Sequence, residues 1–191
     1  MKGTIVKGGV YLAFVNIFAQ FQSIILNLIL ARLLAPEDFG LIALSSTYLG
    51  FMGLFTTIGF GAAIIQAKNL STLQLSTIYF MNWAFALLAF TFVNVGAEFA
   101  SQYYGSSELS SIIFWASFTI LLSPIFITNL KLMEKKLRYK EIGQIVLFSS
   151  LCGAIAAIAG AIGGLGVYAL VLQPLFTISV KLVLVLIRSS W

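Results

Sequence analysis

Asn16, Gln20, Ser23 and Asn27 are spaced by four, three and four residues within an otherwise apolar stretch. At 100° per residue they fall within about 60° of one another on a helix. Together they make an uncharged hydrogen-bonding stripe. Inside a membrane such side chains either bond to a neighbouring helix, at about 0.6 kcal/mol each, or line a hydrophilic passage. Four in a row are more than packing needs, which favours the passage. Gln173, Thr177 and Lys181 recur at i, i+4 and i+8 and share a second face, with Pro174 among them. Pro174 frees a backbone carbonyl and bends its helix. Lys181 either snorkels to an interface or offers a cation to a phosphate in a cavity. Arg32 follows the first stripe but points about 140° away from Asn27. It is expected to pair with Glu37 or Asp38 across a helix end, the alternative being an anion bound at an outer mouth.

All of this is non-covalent chemistry, and the missing residue types agree. The chain has no histidine, a single aspartate (Asp38) and a single cysteine (Cys152). These counts exclude Ser-His and Cys-His nucleophile pairs, paired aspartates and a disulfide within the chain, and they remove most zinc and haem sites. No catalytic residue, metal set or cofactor is expected, and an intramembrane enzyme is a remote alternative.

The elements that would carry these residues follow from composition. Of 191 residues, 60% are apolar and 9% charged, against roughly 25% charged in a soluble domain. Mean hydropathy is +1.04. A surface so poor in charge suits lipid, not water. Six apolar runs, at about 9–34, 39–65, 75–97, 109–130, 142–162 and 167–187, match the roughly 20 residues a membrane helix needs. The expected fold is therefore all-α: one polytopic membrane helix bundle spanning 1–191, with six transmembrane helices. The first run is too long and too polar for a cleavable leader, despite Lys2 and Lys7 before it.

The breaks between runs carry helix-end chemistry. Pro36-Glu37-Asp38 opens the second helix with a proline and two carboxylates at its positive pole. Ser71-Thr72-Leu73-Gln74 is a capping box. Gly105-Ser106-Ser107-Glu108 separates the third and fourth runs, and Gly163-Gly164-Leu165-Gly166 makes a tight turn between the fifth and sixth. Gly153, Ala157 and Ala161, and Ala156, Gly160 and Gly164, form two rows of small residues that predict close packing of the fifth helix. Gly50, Gly53, Gly59 and Gly61 predict the same for the second. Tyr103, Tyr104 and Trp115 fit an interfacial aromatic belt, and most phenylalanines are expected to face lipid.

The net charge of +5 is explained by topology, with no nucleic-acid partner expected. With the N-terminus placed in the cytoplasm, Lys2, Lys7, Lys68, Lys131, Lys135, Lys136, Arg138, Lys140 and Arg188 fall inside and only Arg32 outside. That is the bias membrane insertion favours, with both termini cytoplasmic. The amphipathic run from Lys131 to Glu141 suits contact with anionic lipid, at about 1 kcal/mol per basic residue.

Four segments carry a resemblance. Ala31-Arg32-Leu33-Leu34-Ala35-Pro36-Glu37-Asp38-Phe39-Gly40 resembles the first-loop signature of Wzx-type polysaccharide flippases. These belong to the multidrug/oligosaccharidyl-lipid/polysaccharide (MOP, MATE-like) exporter superfamily. Gly59–Lys68, running on through Leu75-Ser76-Thr77-Ile78-Tyr79, is similar to the segment joining that family's second and third helices. Lys136-Leu137-Arg138-Tyr139 resembles its loop between helices four and five, and Gly164–Val171 resembles its entry to helix six. The colanic-acid and teichuronic-acid type of exporter is the most similar branch.

The resemblance covers one six-helix lobe, the N-terminal one, of a family with two. The stop at Arg188-Ser189-Ser190-Trp191 reads as a partial chain. It implies a bacterial inner-membrane protein moving an undecaprenyl-pyrophosphate-linked oligosaccharide between leaflets, through a cavity alternating between two lobes and coupled to an ion gradient. The partners implied are that lipid-linked oligosaccharide, membrane lipids, and a C-terminal lobe or second copy. Asn16, Gln20, Ser23, Asn27, Arg32, Gln173, Thr177 and Lys181 become candidate cavity-lining residues. Another exporter of the superfamily is the first alternative, disfavoured because no Asp or Glu lies mid-span. A non-transporting membrane fragment is the second.

Overall fold

A computed structural model describes residues 2–56 and 71–188. The second half of the second apolar run (57–65), the Gly59–Lys68 segment with its glycines, and Ser189–Trp191 lie outside the described residues, as do the side chains at 2–7, 52–56 and 72. The described chain is helical: α1 (Lys2–Leu33), α2 (Pro36–Thr56), α3 (Thr72–Tyr104), α4 (Ser107–Lys135), α5 (Tyr139–Ile162) and α6 (Tyr168–Arg188). Five of the six, all but α2, are long and apolar enough over their described residues to cross a membrane. α3 and α4 extend well beyond their apolar cores. The 33 residues of α3 reach about 50 Å at 1.5 Å per residue, against a hydrocarbon thickness of about 30 Å, so its ends stand in the headgroup layers.

The helix ends use the chemistry expected of them. The Ser71 hydroxyl accepts from the Gln74 N–H at 3.2 Å, and the Ser71 N–H donates to the Gln74 side chain at 3.1 Å, a reciprocal box. Gly105 ends α3 in the left-handed region (φ 65°), which glycine adopts without steric cost. The α5–α6 turn places Gly164 and Gly166 at φ 78° and 53°. Gly164 therefore serves the turn and does not extend a packing row.

α5 and α6 pack along their lengths, as do α3 and α4; α1 lies on α5, α6 also meets α4, and α2 leans on both α3 and α4. Small residues set these distances. A side chain at Gly153 would collide with the Thr177 hydroxyl of α6 and lie 2.7 Å from the Gln173 carbonyl oxygen. At Gly160 it would meet Leu172 and Ala169 of the same helix. Ala154, Ala157 and Ala161 face α1 through Leu26 and Leu30. Gly50 differs from expectation: its surroundings are open, so it is not a close-packing site. The outward faces are apolar, with Phe14, Phe21, Phe80, Phe92 and Phe99 all exposed, as lipid contact requires.

The topology gathers charge by end. Gly8 of α1 sits against Tyr139 at the start of α5. Arg138 donates to the backbone carbonyl of Arg188 at 2.9 Å, tying the α4–α5 turn to the last turn of α6. Arg188 donates to Gln144 at 2.9 Å, and Lys131 pairs with Glu134 at 2.8 Å. The Arg138 guanidinium also bonds Glu141 at 2.7 Å, which raises its already high pKa. Lys131, Lys135, Lys136, Arg138, Lys140 and Arg188 thus share one end of the bundle, while Glu37, Asp38, Glu98, Glu108 and Arg32 stand toward the other.

Candidate functional site

The first helix separates two kinds of polar residue. Val15, Leu26 and Leu30 of α1 are buried against the bundle, and in the same seam Gln22 accepts a hydrogen bond from Ser150 of α5 at 3.0 Å. The stripe of Asn16, Gln20, Ser23 and Asn27 lies roughly 100° around the helix from that seam. Asn16, Gln20 and Asn27 are exposed and Ser23 is half-buried. None of the four has a hydrogen-bond partner among the described residues. The stripe therefore does not face the interior of the described bundle, and it is not the glue between α1 and α5. Gln22, which the sequence pattern did not single out, has that role.

Arg32 is exposed, and it makes no ion pair among the described residues. The expected pairing with Glu37 or Asp38 is not what forms. The Asp38 carboxylate instead accepts the Ala35 N–H at 3.1 Å, satisfying a donor at the start of α2. The cap is local and needs little ordering, whereas an exposed arginine pair gains little in water.

On α6 the three candidates diverge. Thr177 donates to the Gln173 carbonyl at 2.7 Å and packs against Gly153, so its hydroxyl is spent within the α5–α6 contact. Gln173 is half-buried. Lys181 is half-buried too, with its ammonium 5.6 Å from the centre of the Phe126 ring on α4. That distance is within the range of a cation–π contact. It lies about 10 Å inward of Arg188 along α6 at 1.5 Å per residue. α1's stripe makes no hydrogen bond to these residues among the described ones, and the eight candidates do not converge on one pocket there.

A cavity of about 390 Å³ lies elsewhere, between α2, α4 and α6. Ser45 and Ser46 of α2 and Thr119 and Ser123 of α4 line it, with Leu170 and Pro174 on α6. Three hydroxyls donate back to their own helices: Ser45 to Ile42, Thr119 to Ala116 and Ser123 to Ile120, at 3.0, 2.7 and 2.7 Å. Pro124 cannot supply the helical N–H that the Ile120 carbonyl would take, and Ser123 replaces it. Pro174 likewise leaves the Leu170 carbonyl without its helical donor. With its donors turned inward, this wall offers mainly acceptor oxygens. It suits hydroxylated guests or water and holds no group for acid–base chemistry. The sequence signal was present in Thr119 and Ser123, which share a face at i, i+4, and in the two mid-helix prolines.

Comparison with known proteins identifies a family and several relatives. The family described as "Polysaccharide biosynthesis protein" matches residues 29–191. The chain is 25% identical over 133 residues to the lipopolysaccharide biosynthesis protein WzxC of Escherichia coli (strain K12), covering 70% of this chain and 27% of that protein. It is 28% identical over 101 residues to the teichuronic acid biosynthesis protein TuaB of Bacillus subtilis (strain 168), covering 53% and 21%. It is 25% identical over 154 residues to the succinoglycan biosynthesis transport protein ExoT of Rhizobium meliloti (strain 1021), covering 81% and 31%. The chain spans less than a third of the length of these curated relatives. No solved structure matches it.

Proposed function

This chain belongs to the polysaccharide biosynthesis protein family, and from that membership we propose that it is one lobe of a membrane exporter for lipid-linked oligosaccharide. The lobe sits in the bacterial inner membrane with both termini in the cytoplasm, and a second lobe or second copy completes the passage. The observation that carries this reading is the stripe of exposed Asn16, Gln20 and Asn27 and half-buried Ser23, without hydrogen-bond partners among the described residues, on an otherwise apolar helix. A polar stripe facing lipid is costly, so it needs water or a second protein surface beside it. A wall of amides and hydroxyls suits sugar hydroxyls, which both donate and accept. Arg32 and Lys181 supply cations for a pyrophosphate at different depths, and the lipid tail stays in the bilayer. The basic end of the bundle supports the cytoplasmic placement of the termini. The names of the relatives point to biosynthesis and transport of polysaccharide, and transfer between leaflets needs no covalent step.

The test replaces Asn16, Gln20 and Asn27 together with leucine in the full-length protein. Surface polymer should fall to background while the variant still inserts at normal levels. Unchanged surface polymer would remove the stripe from the passage.

A further inference from the structure

A second concave site, of about 290 Å³, lies where α3 meets α4 toward the acidic end of the bundle. Asn94 and Glu98 of α3 and Ser110, Phe114 and Trp115 of α4 line it. Glu98 is out of place by the logic of its neighbours. Glu37 and Asp38 sit in the first turn of α2 and Glu108 in the first turn of α4, where the positive helix pole stabilises a carboxylate. Glu98 lies six residues before Tyr104, the last residue of α3, toward the negative pole. It has no ion pair or hydrogen bond among the described residues. Arg32, the described base at this end, is on α1, which packs on α5. Glu98 is exposed and pairs with no described base, which leaves its carboxylate open to water, lipid or another chain.

The other polar groups narrow what it is. The Asn94 amide nitrogen donates to the Phe90 carbonyl at 2.8 Å and to Ser117 at 3.1 Å, leaving its carbonyl oxygen for a guest. Ser110 donates to the Ser107 carbonyl at 3.1 Å, leaving lone pairs. A carboxylate, an amide oxygen and a hydroxyl oxygen attract cations and repel anions, and an ammonium can donate to all three. The rings of Phe114 and Trp115, 5.7 Å apart edge to face, attract cations as well. Glu98 lies about 9 Å from the end of a helix about 50 Å long, which places it near the boundary of hydrocarbon and headgroups. We propose that this notch holds the ammonium group of a zwitterionic aminophospholipid, with the phosphate at its mouth.

The full-length protein, reconstituted in equal phosphatidylethanolamine and phosphatidylglycerol, tests this by the lipid it retains on extraction. Retained phosphatidylethanolamine should exceed phosphatidylglycerol by about fivefold, the scale of one cation–π contact. Glu98→Gln should bring the ratio near one, Glu98→Asp should preserve most of it, and Trp115→Leu should lower it while leaving the carboxylate in place. Free ethanolamine at millimolar concentration should displace the retained lipid from the wild type. Equal retention of the two lipids by the wild type, or an unchanged ratio in Glu98→Gln, would overturn the proposal.

Discussion

Gln20 and Gln22 stand two positions apart and so face opposite ways around α1. Among the described residues only Gln22 of the two reaches a partner, Ser150. Gln22→Leu should therefore lower resistance to unfolding in detergent by about 0.6 kcal/mol, the usual worth of such a bond, and Gln20→Leu should not. A larger loss from Gln20 would return the stripe to packing. Ser123 offers a sharper residue-scale test, because its hydroxyl serves a carbonyl that Pro124 deprives of its helical donor. Ser123→Ala should cost about 1–3 kcal/mol, the penalty for stranding a buried acceptor. Adding Pro124→Ala should recover much of it by restoring the helical bond. No recovery in the double variant would show that the hydroxyl acts on something other than Ile120.

At the scale of elements, α5 is the spine, since α1 and α6 both pack on its small residues. Gly153→Val would press into Thr177 and the Gln173 carbonyl. It should cost about 1–3 kcal/mol, as overpacking does, and the loss should shrink when Thr177→Ala is added. Equal losses with and without Thr177→Ala would mean that the helices do not meet there. α1 makes the opposite kind of statement, having one packed seam and a polar flank. With Cys152 replaced by alanine, single cysteines at Asn16, Gln20 and Asn27 should react with a water-soluble thiol reagent faster than cysteines at Val15 or Leu26. Equal rates would leave the flank dry.

At the scale of the whole molecule, six of the described bases gather at one end, and hydrogen bonds from Arg138 and Arg188 tie that end together. A reporter fused after Gly105 should read as external and one fused after Lys136 as cytoplasmic. A cytoplasmic signal at Gly105 would invert the proposed orientation. Because the relatives are more than three times as long as the matched stretch, the exposed flank of α1 is also the surface on which a second lobe would be sought.

The all-helical architecture, the helix ends and the segregation of charge were legible in the residues, because each rests on local physics. Apolar run length demands a helix in lipid, Ser71 and Gln74 cap within four residues, and Gly105 ends α3 by its own backbone freedom. Tertiary structure alone decided which polar groups were already used. Gln22 and Thr177 look like their neighbours in sequence, yet each is committed to contacts made through α5. Ser45 and Ser123 meet around one cavity only because α2 and α4 cross beside α6, and Glu98 has no ion pair among the described residues because none of the described bases folds against it. Hydrogen-bond satisfaction and charge pairing depend on distances between helices, and those distances are set by packing.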